Sequence, residues 1–172
     1  MKASDFQEGD IYLDTNFLYH FLRPIPEYRR EILAFFQRVE EGKIRSFTCV
    51  NTFDELTYRI LLAVIKDKYG GNPIESLRKR RRTMLEEFYP RVQEVPLLLK
   101  SLPNLEILPV TKTELSRMVD DLTSVILLPR DALHLAVMKN HGVHYIASDD
   151  KDFDDIEGIE RVWMYNPPRD LR

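Results

Sequence analysis

The sequence predicts an α/β fold, a three-layer α/β/α sandwich around a mainly parallel sheet, and three observations carry that expectation. Short apolar runs alternate with segments of helical period along the chain, and capping or breaking residues fall at the joints. Parallel neighbours need crossover connections, which the intervening helices supply. The length of 172 residues, 44% of them hydrophobic, suits one substantial core and falls short of two ordinary domains.

The elements follow in order. Asp10 to Asp14 reads as a first strand, apolar at Ile11, Tyr12 and Leu13 and closed by an acid. Phe17, Leu18 and Phe21 stand at helical spacing in a short helix that Pro24 and Pro26 break. From Glu27 to Glu41, Ile32, Leu33, Phe36 and Val39 recur on one helical face, with Gly42 as the stop. Ile44 to Val50 is a second strand, and Asn51 is expected to cap a helix carrying Leu56, Ile60, Leu61 and Val64. Glu55 falls in the first turns of that helix. Gly70-Gly71-Asn72-Pro73 ends it, and residues 71–100, charged, helical in pattern and interrupted by Pro90 and Pro96, read as a helical excursion from the sheet.

Leu105 to Val110 is a third strand, after which Thr111 and Glu114 have the spacing of a capping box. Pro129 opens a helix over Asp131 to Asn140 that Gly142 ends. Val143 to Ala147 is a strongly apolar strand, followed by Asp149-Asp150-Lys151-Asp152, and a last strand is expected around Arg161 to Met164. Residues 166–172, with Pro167-Pro168, read as an extended tail to a single domain spanning 1–172.

Composition narrows the function classes. No run approaches the roughly 20 apolar residues that span a bilayer, and Met1 to Asp5 lacks the basic-then-apolar layout of a signal peptide, so a soluble, cytoplasmic protein is expected. Cys49, the only cysteine, can form neither an internal disulfide nor a multi-cysteine zinc site. With 25 basic against 28 acidic residues, contact with a nucleic acid must be local.

The acids carry the chemistry. In right-handed βαβ units, strand C-termini and helix N-termini share one edge of the sheet, where such folds bind ligands. Asp14 ends the first strand, Glu55 begins the helix after the second, Asp131 begins the helix before the Val143 strand, and Asp150 and Asp152 follow that strand. Two carboxylates 4 Å apart repel by about 4 kcal/mol at an effective dielectric near 20, and a divalent cation removes that cost. Oxygen-only ligands favour Mg²⁺ or Mn²⁺ over zinc. Taken singly, each acid also fits as a helix cap or a solvated charge. Asp14 fits least, because it closes a buried-looking strand.

At these residues the sequence resembles the PIN-domain family. Asp14-Thr15-Asn16, Glu55-Leu56, Asp131-Ala132-Leu133-His134-Leu135-Ala136 and Ser148-Asp149-Asp150-Lys151-Asp152-Phe153 match its four motifs in order, over about Ile11 to Val162. The resemblance implies a Mg²⁺- or Mn²⁺-dependent ribonuclease, often the toxin of a toxin–antitoxin pair and often a homodimer. It implies that Asp14, Asp131 and Asp150 hold the metal, that Glu55 positions a metal or the attacking water, that Asn16 and Ser148 orient these groups, and that Asp152 serves a second metal position. Asp149 stands where many relatives have a small or uncharged residue, so a shift of one place would exchange Asp149 and Asp150; Asp150 is preferred because only that register aligns Ser148 and Asp152.

Weaker signals keep two readings each. Arg78-Lys79-Arg80-Arg81-Arg82 is either an RNA phosphate patch or a solvated face paired with Glu75, Glu86 and Glu87. His134, one turn beyond Asp131, either bonds a site residue or simply packs, with packing favoured. Two functional rivals remain. A phosphatase-like hydrolase would want a second Asp where Asn16 stands, and a PIN-like RNA-binding or scaffold protein would need no catalysis.

Overall fold

The computed structural model describes residues 1–165; the expected tail at 166–172 lies outside the described residues. Five strands form one parallel sheet in the order β3-β2-β1-β4-β5, with β1 Gly9–Leu13, β2 Ile44–Cys49, β3 Leu105–Leu108, β4 Tyr145–Ala147 and β5 Glu160–Val162. The helices are α1 Thr15–Leu22, α2 Arg29–Glu40, α3 Val50–Tyr69, α4 Pro73–Lys79, α5 Arg81–Val92, α6 Glu94–Ser101, α7 Lys112–Ser124 and α8 Pro129–Asn140. The expected α/β/α sandwich is present.

Strand alternation makes the three layers. Ile11 and Leu13 face one core with Phe17, Phe35, Leu56 and Ile65, while Tyr12 between them faces a second core with Phe47, Leu135, Met138 and Ile146. The central strand is therefore buried on both sides, as a parallel sheet requires.

Local signals set most boundaries. Thr111 and Glu114 make the capping box at the head of α7, and Pro129 is the first residue of α8. Gly70, at φ +67°, ends α3 in a left-handed conformation, and Asn72 caps α4 through the Ile74 amide.

Some expectations fail. Leu33 is exposed, so the buried face of α2 is made by Ile32, Phe35, Phe36 and Val39, and Pro96 lies within α6 instead of interrupting the helices. Asn51 does not cap α3: Cys49 is still paired with Leu108 in the sheet, and the helix starts directly at Val50, so Asn51 lies inside it. Pro90 does not interrupt α5, which continues to Val92. Met84, Phe88 and Val92 are all buried, and their shared apolar face holds the helix through the proline. The excursion itself comprises α4, α5 and α6, and no helix is long and apolar enough to cross a membrane.

Candidate active site

β1 ends at Leu13, and Asp14 caps α1 at the carboxyl edge of the sheet. The Asp14 amide still donates to the Ala147 carbonyl at 3.1 Å, which ties it to the end of β4. Its carboxylate is buried, with Oδ1 accepting from the Thr15 amide at 2.6 Å and Oδ2 accepting from Asn16 Nδ2 and Ser148 Oγ, both at 2.7 Å. Burial pushes the Asp14 pKa up; His134 and Ser148 oppose the shift without cancelling it.

Asn16 and Ser148 are held on several sides by this arrangement. Both Asn16 amide hydrogens are used, on Asp14 Oδ2 and on Ser148 Oγ at 3.0 Å, while Asn16 Oδ1 accepts from the Asp149 amide at 3.1 Å. Ser148 Oγ donates its one proton to Asp14 and also accepts from the Asp150 amide at 3.0 Å. The loop after β4 is thus fixed to the first turn of α1.

That loop carries two adjacent acids in opposite settings. Asp149 Oδ1 accepts from the Met164 and Tyr165 amides, each at 2.8 Å, and its Oδ2 lies 3.2 Å from His20 Nε2. Asp150 instead caps the 3-10 turn Lys151–Asp155, accepting from the Asp152 amide at 3.0 Å. Arg161 of β5 braces the turn with a bidentate grip on Asp154, at 2.7 and 2.9 Å, and a bond to the Ser148 carbonyl at 3.2 Å.

Asp131, in the first turn of α8, meets this loop. One carboxylate oxygen from each of Asp131, Asp150 and Asp152 lies within 4.8 Å of the other two. The Asp131 pKa rises to about 6, through burial first and then the negative charges of Asp14 and Asp150. The donor set is all oxygen, part-buried and mutually repelling, which suits a hard divalent cation.

Asp14 and Glu55 are not part of that triad among the described residues; a histidine links them instead. His134 is 1% exposed, and its Nε2 lies 4.0 Å from both Asp14 Oδ1 and Glu55 Oε2, too far for a direct hydrogen bond. That nitrogen is buried without a hydrogen-bond partner among the described residues. On the other side, Nδ1 pairs with the Tyr12 hydroxyl at 2.8 Å, and Cys49 Sγ is 3.8 Å away. Burial alone would push the imidazole pKa down; Cys49, Glu55 and Asp14 outweigh it and raise it.

Glu55 reaches the site from the first turns of α3. Its Oε2 accepts from Thr15 Oγ1 at 2.9 Å and its Oε1 from Arg130 Nη1 at 2.7 Å. Burial pushes its pKa up, but His134, Thr15 and Arg130 prevail and hold it at about 2. Thr15, Arg130, Tyr12 and Arg161 escape sequence reasoning. Thr15 and Arg130 carried a signal, their places beside Asp14 and Asp131.

The basic run divides. Lys79 pairs with Glu75 at 2.6 Å and Arg82 with Glu86 at 2.7 Å, while the Arg80 guanidinium lies 4.8 Å from the Tyr69 ring centroid. Glu87 makes its hydrogen bonds to Lys68 and the Tyr69 hydroxyl, and from the run only Arg80 acts on it, through charge. Arg78 and Arg81 are exposed and have no carboxylate partner among the described residues.

Known proteins resemble this chain in sequence and in fold. A sequence model of the family described as PIN domain matches residues 11–159. Ribonuclease VapC13 of Mycobacterium tuberculosis is 40% identical over 58 residues, which is 33% of this chain and 44% of that protein, so the match spans under half of the relative's length. Among solved structures, the chain is similar to a toxin–antitoxin complex from Klebsiella pneumoniae, with a TM-score of 0.57 at 20% identity over 91% of this chain and 99% of that one. It is also similar to VapBC2 from Rickettsia felis bound to a DNA fragment from their promoter, with a TM-score of 0.58 at 12% identity over 90% and 98% of the two chains. At such identities the likeness is one of fold.

Proposed function

This chain belongs to the PIN domain family, and from that premise we propose that it is a divalent-metal-dependent endoribonuclease. The observation that carries the reading is the convergence of Asp131, Asp150 and Asp152 beside the buried, hydrogen-bonded Asp14. Asp131, Asp150 and Asp152 would hold Mg²⁺ or Mn²⁺, with Asp14 contributing directly or through water and Glu55 oriented toward the same edge. Once bound, the ion lowers the pKa of an attacking water and offsets charge on the phosphoryl oxygens.

The remaining roles belong to the chain. Asn16 and Ser148 hold the Asp14 carboxylate and the Asp150 backbone in one frame. Arg130 and His134 balance the charge of Glu55 and Asp14, so the negative site does not spring apart before a cation enters. The name of VapC13 supports a ribonuclease, and that of the similar Klebsiella pneumoniae complex supports a toxin with an antitoxin partner. Exposed Leu115, Val119 and Leu122, at helical spacing on α7, give an antitoxin or a second copy in a homodimer an apolar stripe to cover.

Incubating the protein with a labelled single-stranded RNA tests the reading. Cleavage should require Mn²⁺ or Mg²⁺, stop with chelator, and fall at least about 100-fold in Asp14→Asn and Asp131→Asn. RNA that is bound but never cut under any divalent metal would favour a non-catalytic RNA-binding or scaffold protein instead.

A further inference from the structure

We propose that the groove between α3, α4 and α5 is a single-stranded RNA track leading away from the acidic site, an inference that rests on the ribonuclease reading above. The groove encloses about 480 Å³ and is walled by Tyr58, Arg78, Arg81 and Tyr89 over an apolar floor that includes Leu61 and Leu85. No acidic residue lines it. Its cations are Arg78 and Arg81, which have no carboxylate partner among the described residues, whereas Lys79 and Arg82 are held by Glu75 and Glu86 and Arg80 lies over the Tyr69 ring.

Both tyrosines are exposed, at 48% for Tyr58 and 53% for Tyr89, although each carries a ring large enough to repay burial. Exposed aromatic faces interleaved with uncompensated guanidinium groups are the pattern that holds single strands: bases stack on the rings while arginines meet the phosphates. The groove also continues the site. Tyr58 lies three residues beyond Glu55 on α3, roughly 4.5 Å along the axis and on a neighbouring position of the helix surface. A strand cut at the acidic edge can run down α3 into the groove. An acidic peptide would satisfy the arginines but leave the two ring faces without a use, which favours RNA.

The experiment measures binding of a labelled 12-nucleotide single-stranded RNA to the full chain in chelator, by fluorescence anisotropy over a range of salt. Arg78→Ala with Arg81→Ala should lower the slope of log K against log salt by about 1.4, from about 0.7 for each phosphate contact on a single strand. The matched pair Lys79→Ala with Arg82→Ala removes the same charge and should lower it by less than half as much. Tyr89→Ala should weaken binding about tenfold, and Tyr89→Phe should restore it. Wild-type RNA binding and cleavage with an unchanged slope in Arg78→Ala, Arg81→Ala would overturn the track alone. No RNA binding by the wild type would overturn it together with the ribonuclease reading. Loss of affinity for poly-glutamate in the double variant, with RNA affinity intact, would reassign the groove to an acidic protein partner.

Discussion

The buried imidazole of His134 stands between two of the site's acids and the central strand. It faces Asp14 and Glu55 with one nitrogen and Tyr12 with the other, all behind the sheet edge. Replacing it by alanine removes the partner 2.8 Å from the Tyr12 hydroxyl and the imidazole that faces the Asp14 and Glu55 carboxylates. His134→Ala should therefore lose about 2–4 kcal/mol in a urea melt, more than His134→Asn, which keeps a donor. Asp131 makes a prediction with a sign. Its folded pKa of about 6 exceeds the unfolded value, so the folded state holds the proton more tightly. The stability this contributes is complete below about pH 4 and is lost as pH rises through 6. A divalent cation needs the carboxylate ionised, so the rise in Tm on adding Mn²⁺ should be clearly larger at pH 7.5 than at pH 5. An equal rise at both would contradict the role of Asp131. His134 was ambiguous in the sequence because helical spacing puts it near Asp131 but cannot say that Tyr12, 122 residues away, waits for its other nitrogen.

Elements were legible where their signals are local. Thr111 and Glu114 lie three residues apart, and their reciprocal bonds need nothing from the rest of the chain. Glu114 is also bound by Asn140 Nδ2 at 3.0 Å, joining α7 to α8, so Thr111→Ala should cost about 0.5–2 kcal/mol by chemical denaturation, towards the upper end. The start of α3 was not legible because a sheet contact, Cys49 against Leu108, decides it. Pro90 misled for the same reason: a buried face outweighs one lost hydrogen bond. Arg130 and Glu55 meet across 75 residues, and neither flank announces the other. Their pairing joins α8 to α3, and Arg130→Ala should free Glu55 and raise its pKa from about 2, measurable by NMR titration.

At the scale of the whole molecule, the order of strands gathers acids at one edge of a chain whose net charge is −3. β1 lies at the centre with β2 and β4 on either side, so the ends of all three deliver acids or their helices to one edge. The basic groove is built by α3 together with the first two helices of the excursion. The alternation of runs made the sandwich legible, and the four motifs marked the edge; the division of the acids into a triad and a histidine-linked pair required the folded packing of α8 against β1 and β2. In the proposed site Asp131, Asp150 and Asp152 together hold a divalent cation, with Asp149 serving the backbone instead. Calorimetric titration with Mn²⁺ tests it most directly. The wild type and Asp149→Asn should bind the ion with similar affinity, while Asp150→Asn should lose it by at least about tenfold; undiminished binding by Asp150→Asn, or no binding by the wild type, would contradict the account.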